Sequence, residues 1–229
     1  MLIPKNIFPI ARAVSKQASR YLFNGVHVQR LASDRARFEA TDGSQLIRID
    51  CPVLQNDSFP AQDGVNFEQV HDFNTIVPAA AWKQAERNIP KSTRFSTPIQ
   101  STVLLPENVN GSLQLITSNG NSLKAEVEGG QFPNTDEVIP AEVNKFYENY
   151  IKDHDEVEGM PLKHTLYTEI TFNAELLASV LETIAKVKAD SNIPIVTLHV
   201  PIDGTKAMVI TAEGIDGEKV TALVMPCRE

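Results

Sequence analysis

Residues 73–90, FNTIVPAAAWKQAERNIP, set a β-rich run directly against an amphipathic helical stretch that a proline stops. Ile76 and Val77 favour an extended strand, residues 79–89 carry apolar side chains at helical spacing, and Pro90 cannot continue the ladder. Three more β-rich runs follow: TPIQSTVLL (97–105), GSLQLITS (111–118) and SLKAEVEG (122–129). Asn-Gly pairs at 110–111 and 119–120 supply hairpin turns between them. The stretch reads as one unit of strand, helix and three strands.

The same order recurs on either side. Upstream, FPIARAVSKQASR (8–20) predicts a helix with Pro9 near its first turn, burying Ile10, Ala11, Val14 and Ala18. After it come YLFNGVHVQRL (21–31), ARFEATDG (36–43) and QLIRIDCPV (45–53), broken by Ser-Asp and Asp-Gly turn signals. Downstream, YTEITF (167–172) precedes Asn173, an N-cap for AELLASVLETIAKVKA (174–189). PIVTLHVP (194–201), KAMVITAE (206–213) and KVTALVMP (219–226) complete a third unit. Three βαβββ units predict an α+β fold with antiparallel sheets and helices on one face. No unit of this size covers both faces of its own sheet, so the units are expected to pair side by side. An acidic connector at 141–165 separates the second unit from the third.

The 229 residues carry 29 acidic and 21 basic side chains, a formal charge of −8, which argues against coating nucleic acid with the whole surface. Yet Arg12, Lys16 and Arg20 stand four apart in the first helical stretch. Lys83 and Arg87, with Lys91 just past Pro90, repeat that spacing in the second. The third has Glu175 and Glu182 ahead of Lys186 and Lys188, cations that the helix dipole explains. Two readings compete for the recurring stripe: a solvated helix face, or a helix-lined surface turned toward phosphates. On the second reading Arg12, Lys16, Lys83, Arg87 and Lys91 contact double-stranded DNA without regard to sequence.

No apolar run approaches the roughly 20 residues that cross a bilayer, and the N-terminal MLIPKNIFPIARAV lacks the pattern of a secretory signal. A soluble cytoplasmic protein with Cys51 and Cys227 as reduced thiols is expected. HDEVE (154–158) offers carboxylates without a second ligand group at useful spacing, and DGSQL (42–46) is not a nucleophile elbow. His27 and His199 fall in strand patterns, and Trp82 reads as core. No enzyme, metal or cofactor is expected.

RYLFNGVHVQRLASDRARFEATDGSQLIRID (20–50) resembles the middle domain of the bacterial DNA polymerase III β sliding clamp, which has an Ala-Thr-Asp-Gly-His-Arg-Leu strand end. GGQFPNTDEVIP (129–140) resembles the family's Gly-x-Phe/Tyr-Pro-Asp-Tyr-x-x-Val-Leu-Pro segment. ITFNAELLASVLETI (170–184) resembles its final helix, and VMPCRE (224–229) its closing Val-Met-Pro-Met-Arg-Leu. The resemblance implies a processivity fold with a complete clamp-type domain at 1–140 and half of one at 166–229. Clamp chains of that family have three domains of two units, and a dimer closes a ring of twelve helices around DNA. Two chains of three units supply six helices and four supply twelve, so a homo-oligomer is expected. The family also docks short motifs of polymerases and repair proteins in a shallow apolar groove. By position, Arg20, Phe23, Thr41, Gly43 and Leu46 line one side of that groove here. Leu223, Val224, Met225, Pro226 and Cys227 line the other. Ser44 and Gln45 replace the family's His-Arg. The implied function is a non-enzymatic clamp-like protein of a bacterium or phage that docks partners on or near DNA. The alternative is a clamp-like interaction module that no longer encircles it.

Overall fold

The computed structural model describes residues 1–15, 24–32, 35–53, 74–91, 101–106, 112–126, 131–139, 171–187, 195–201, 206–214 and 217–227, with backbone alone at 32 and 101–106. β1 (Leu2–Pro4) leads into a 3₁₀ helix (Lys5–Ala13), followed by β2 (Gly25–Ala32), β3 (Arg35–Thr41) and β4 (Gln45–Pro52). β5 (Asn74–Pro78) and α1 (Ala79–Asn88) open the second unit, with β6 (Ser101–Pro106), β7 (Ser112–Thr117) and β8 (Ser122–Glu126). A one-turn 3₁₀ segment (Thr135–Glu137) precedes α2 (Ala174–Val187), β9 (Thr197–His199), β10 (Met208–Glu213) and β11 (Lys219–Val224).

The units pair by exchanging their first strands. β1 joins β6 in a four-stranded sheet of order β1-β6-β7-β8, while β5 joins β2 in a seven-stranded sheet of order β5-β2-β3-β4-β11-β10-β9. Every pairing is antiparallel. The third unit enters the larger sheet through β4 and β11, with Ile47 opposite Ala222 and Leu46 opposite Leu223. Period-two alternation sends Phe38, Ile47, Ile49, Ile210 and Ala222 to the core beneath the helices. Tight reversals fall at the predicted turns: Gly43 and Gly120 have φ of 91° and 83°, a left-handed backbone that a Cβ resists. Asn173 caps α2 as its sequence predicts, its Oδ1 accepting from the N–H groups of Glu175 and Leu176 at 2.9 and 3.2 Å.

Trp82 is fully buried. Its Nε1 donates to the Phe8 carbonyl at 3.1 Å, and its ring tilts against Phe8 and Phe38 with centroids 4.8 and 6.0 Å away. Burial of such a side chain contributes on the order of 2–3 kcal/mol. It fastens α1 to the 3₁₀ helix.

The first helical stretch differs from its sequence pattern. It is a 3₁₀ helix that starts at Lys5 and gives way at Val14 to extended backbone (φ −76°, ψ 141°). Pro9, inside it, has no N–H for an α-helical bond back to Lys5 and crowds that carbonyl. A nine-residue 3₁₀ run is long; packing sustains it, since Ile7, Phe8, Ile10, Ala11 and Ala13 are all buried. The spacing-of-four argument therefore does not carry from Arg12 onward. Lys16, Arg20, Phe23, Ala18, the 110–111 turn and the 141–165 connector lie outside the described residues. Of the predicted 167–172 strand, only residues 171 and 172 are described, and they are not in a strand.

Candidate functional site

The 3₁₀ helix lies between α1 and α2 and touches both. Where the three meet, Arg12, Lys83, Arg87 and Lys186 ring a cleft of about 210 Å³ over Phe8, Pro9 and Ala11. Lys83 and Arg87 are one turn apart on the exposed face of α1, because Trp82 and Ala85 take the buried face. Arg12, in the last turn of the 3₁₀ helix, donates from Nη1 to Glu182 Oε2 at 2.7 Å. Glu182 and Lys186 stand four apart on α2, and Glu86 is the carboxylate that lines the cleft itself. Lys186 completes a cluster that sequence alone attributed to the helix dipole; only the packing of α2 on the 3₁₀ helix reveals it. Lys91 lies beyond the end of α1, exposed, and does not line the cleft.

On the opposite face of the seven-stranded sheet, Leu46, Leu223 and Val209 form a small apolar cluster with Ile139 and Ala207 against it. Leu46 and Leu223 are register partners across β4 and β11. Above them Thr41 Oγ1 donates to the Gln45 carbonyl at 2.6 Å and accepts from the Gly43 N–H at 3.1 Å, shaping the turn. The Met225 N–H donates to the Ser44 carbonyl at 3.1 Å, bringing the half-exposed Met225 beside that turn. Cys227, exposed, donates its N–H to the Thr171 carbonyl at 2.8 Å, and Pro226 is partly buried. Thr41, Gly43, Leu46, Leu223, Met225, Pro226 and Cys227 thus gather at one end of the β4–β11 seam. Val224 does not line this face: strand alternation turns it, fully buried, into the main core. Gln45 is also buried; its Nε2 donates to Asp42 Oδ2 at 3.0 Å, while its Oε1 has no hydrogen-bond partner.

Residues 131–139 cross the same outer face. Phe132 stacks on His27 with centroids 4.8 Å apart, and His27 bridges Glu39 Oε2 at 2.9 Å and Asn74 Oδ1 at 2.8 Å. Arg48, 7% exposed, donates to Glu39 Oε1 at 2.7 Å, to Asp136 Oδ1 at 2.6 Å and to the Thr135 hydroxyl. Thr135 in turn donates to Glu39. Burial pushes the Glu39 carboxyl up, but hydrogen bonds from His27 and Thr135 and the charge and hydrogen bond of Arg48 outweigh it, leaving a pKa of about 2. Arg37 grips Asp50 from Nε and Nη2 at 2.7 and 3.1 Å, which raises its own pKa. The outer face of β3 and β4 is therefore a lattice of paired charges.

Cys51 is buried, and burial with the nearby Glu218 and Asp50 pushes its thiol up to about 12, so it is unreactive. Among the described residues, no three His, Cys, Asp or Glu side chains are arranged to hold a metal ion. The predicted HDEVE cluster lies outside them. No described helix is long and apolar enough to cross a membrane.

Strand-exchanged βαβββ units, with helices on one face of sheets that run on between units, define the DNA sliding-clamp fold. The chain is similar over its whole length to the DNA polymerase III β chain of Streptococcus pneumoniae TIGR4 (TM-score 0.65, 16% identity, 64% of that chain covered). It is likewise similar to the Caulobacter crescentus DNA polymerase sliding clamp (0.62, 18%, 65%) and to the Bartonella birtlesii clamp bound to griselimycin (0.60, 14%, 66%). The chain spans less than two thirds of each of these clamps. No family model and no curated protein matches the sequence.

Proposed function

We propose that this chain is a non-enzymatic, clamp-type processivity protein that docks partner proteins on or near duplex DNA. The observation that carries the reading is its two-sidedness. Arg12, Lys83, Arg87 and Lys186 converge on the helix side, and an apolar cluster of Leu46, Val209 and Leu223, with Ile139 and Ala207 against it, lies on the opposite side of the sheet. A cluster of long cations that touches only phosphate holds DNA without fixing a register, as sliding requires. On this reading the apolar cluster floors a shallow groove for apolar side chains of a peptide, with Met225 as an adaptable wall. On this reading residues 1–140 act as a whole clamp-type domain, 166–229 as half of one, and the chain works as a homo-oligomer. Lys91 extends the DNA face, and by sequence position alone Lys16 is assigned to that face and Arg20 and Phe23 to the groove rim.

The test combines mass in solution by light scattering with retention on circular and linear duplexes. An oligomer that stays on circles and slips off linear ends supports encirclement. The Bartonella clamp is bound to griselimycin; on this reading a labelled griselimycin occupies the groove of this chain and serves as its probe. Met225→Ala should weaken it by about 1–2 kcal/mol without changing Tm, as for truncation of an interface anchor. One observation favours a second reading: Arg12 is already paired with Glu182, and Glu86 shares the cleft. A clamp-like interaction module that no longer encircles DNA would be monomeric, bind the probe and ignore both duplexes.

A further inference from the structure

The outer wall of the proposed groove belongs neither to β4 nor to β11. Ile139, which packs on Leu46, Val209 and Leu223, sits at the end of the 131–139 segment. Four residues earlier Thr135 is held from two directions, by the guanidinium of Arg48 and the carboxylate of Glu39. Between them the backbone is closed tightly. The N–H groups of Val138 and Ile139 donate to the Thr135 carbonyl at 3.1 and 3.0 Å, and Asn134 Oδ1 accepts from the Asp136 N–H at 3.2 Å. Val138 is 56% exposed, so it adds little grip of its own. The position of Ile139 is thus transmitted through one turn from the Arg48–Asp136 ion pair.

We propose that residues 131–139 form a strap clasped to the sheet by Arg48 and Asp136, and that this clasp positions Ile139 as the wall of the peptide groove. Arg48 and Asp136 are then positioning residues for docking: neither touches the peptide, and both set the shape of what does. The proposal rests on the groove reading above. Its regulatory content follows from linkage. A peptide that packs on Ile139 favours the docked strap, and a docked strap favours the peptide by the same factor. The arrangement is built for a change at Asp136, whose side chain is 65% exposed while Arg48 keeps Glu39 as a buried counter-ion when Asp136 lets go. Arg37 Nη1, 3.4 Å from Asp136, adds a second weaker hold.

The experiment uses the full chain, labelled griselimycin as probe, and hydrogen exchange at the Val138 and Ile139 amides. Asp136→Asn should speed that exchange and weaken probe binding by about five- to tenfold, a typical coupling, with Tm unchanged. Asp136→Glu should restore most of both, since its carboxylate can still reach Arg48. In the wild type the probe should slow exchange at the same two amides. If Asp136→Asn speeds exchange yet binds the probe as tightly as wild type, the strap does not set the groove and the proposal falls alone. If exchange is unchanged in Asp136→Asn, the ion pair is not the clasp and the proposal falls again. If wild type fails to bind the probe at any soluble concentration, the groove reading falls and takes this proposal with it.

Discussion

Replacing Arg12, Lys83, Arg87 and Lys186 together with Gln removes every cation that rings the helix-side cleft. All four are exposed, so each change should shift stability by no more than about 0.5 kcal/mol. Their effect on DNA is set by counterion release. Each phosphate neutralised contributes about −0.9 to the slope of log K against log salt, so four contacts per chain give a slope of about −3.6. Raising salt fourfold changes its logarithm by about 0.6, so affinity should fall by about two decades for four contacts. The Glu182 carboxylate, 2.7 Å from Arg12, makes the number informative. If Glu182 keeps Arg12, three contacts remain and the slope is about −2.7, a loss of about 40-fold over the same range. Fluorescence anisotropy of a labelled duplex across a salt series separates the two values. Glu182→Gln should move the slope from the smaller magnitude to the larger. A wild-type slope near zero, or a quadruple variant that binds as wild type does, would refute the phosphate-facing reading and leave an ordinary solvated surface.

Three further outcomes follow from buried polar groups. Gln45→Met removes a buried carbonyl oxygen that lacks a donor and gives up one bond to Asp42, gains and losses of about 1–3 and about 1 kcal/mol, so denaturant unfolding should change by less than about 1 kcal/mol; a loss above about 2 would show that the amide is engaged. Trp82→Phe removes the hydrogen bond to the Phe8 carbonyl and opens space beside it, costing about 2–3 kcal/mol in the same assay. The carboxyl of Glu39 is held at a pKa of about 2 against an ordinary 4.5, so its stabilisation is complete above about pH 4.5 and is lost as pH falls through about 2. Glu39→Gln should therefore be less stable at neutral pH and show a flatter acid limb in pH-dependent melting; an acid limb identical to wild type would contradict the assignment.

Local periodicity made much of this architecture legible. In QLIRIDCPV the side chains alternate faces as the two-residue period requires, with Ile47 and Ile49 in the core and Arg48 and Asp50 outside. Trp82 as core, the turn glycines and the Asn173 cap followed from residue chemistry. β1 was not legible because three residues carry no period; its pairing with β6 is a long-range fact. Apolar spacing over one or two turns does not separate periods of 3.0 and 3.6, so the first helical stretch carries no signal that it is a 3₁₀ helix, and a proline near a first turn suits either form. Lys186 and the strap escaped for a shared reason. Lys186 takes its meaning from Arg12, 174 positions away, and Asp136 from Arg48, 88 positions away. A charge reads as a solvated residue until its partner is in view.

Both sites hang on one junction. The antiparallel pairing of β4 with β11 sets Leu46 against Leu223 on the outer face, where the groove is proposed, and Ile47 against Ala222 on the inner face, where the helices pack. α2 reaches the 3₁₀ helix from that inner face, and Asn6 fastens them by donating to the Val187 carbonyl at 3.0 Å and to Glu218 Oε1 at 3.1 Å. Lys186 is therefore delivered to the cleft by the same seam that delivers Leu223 to the groove. A one-residue slip between β4 and β11 would turn Leu223 inward and every apolar core side chain of β11 outward, which burial forbids. The register that keeps Val224 in the core is thus what keeps Leu223 in the groove and α2 beside Arg12. Neither feature can be shifted along the seam without the other, and the distance between the cation-ringed cleft and the apolar cluster is fixed by the thickness of one sheet and its helices.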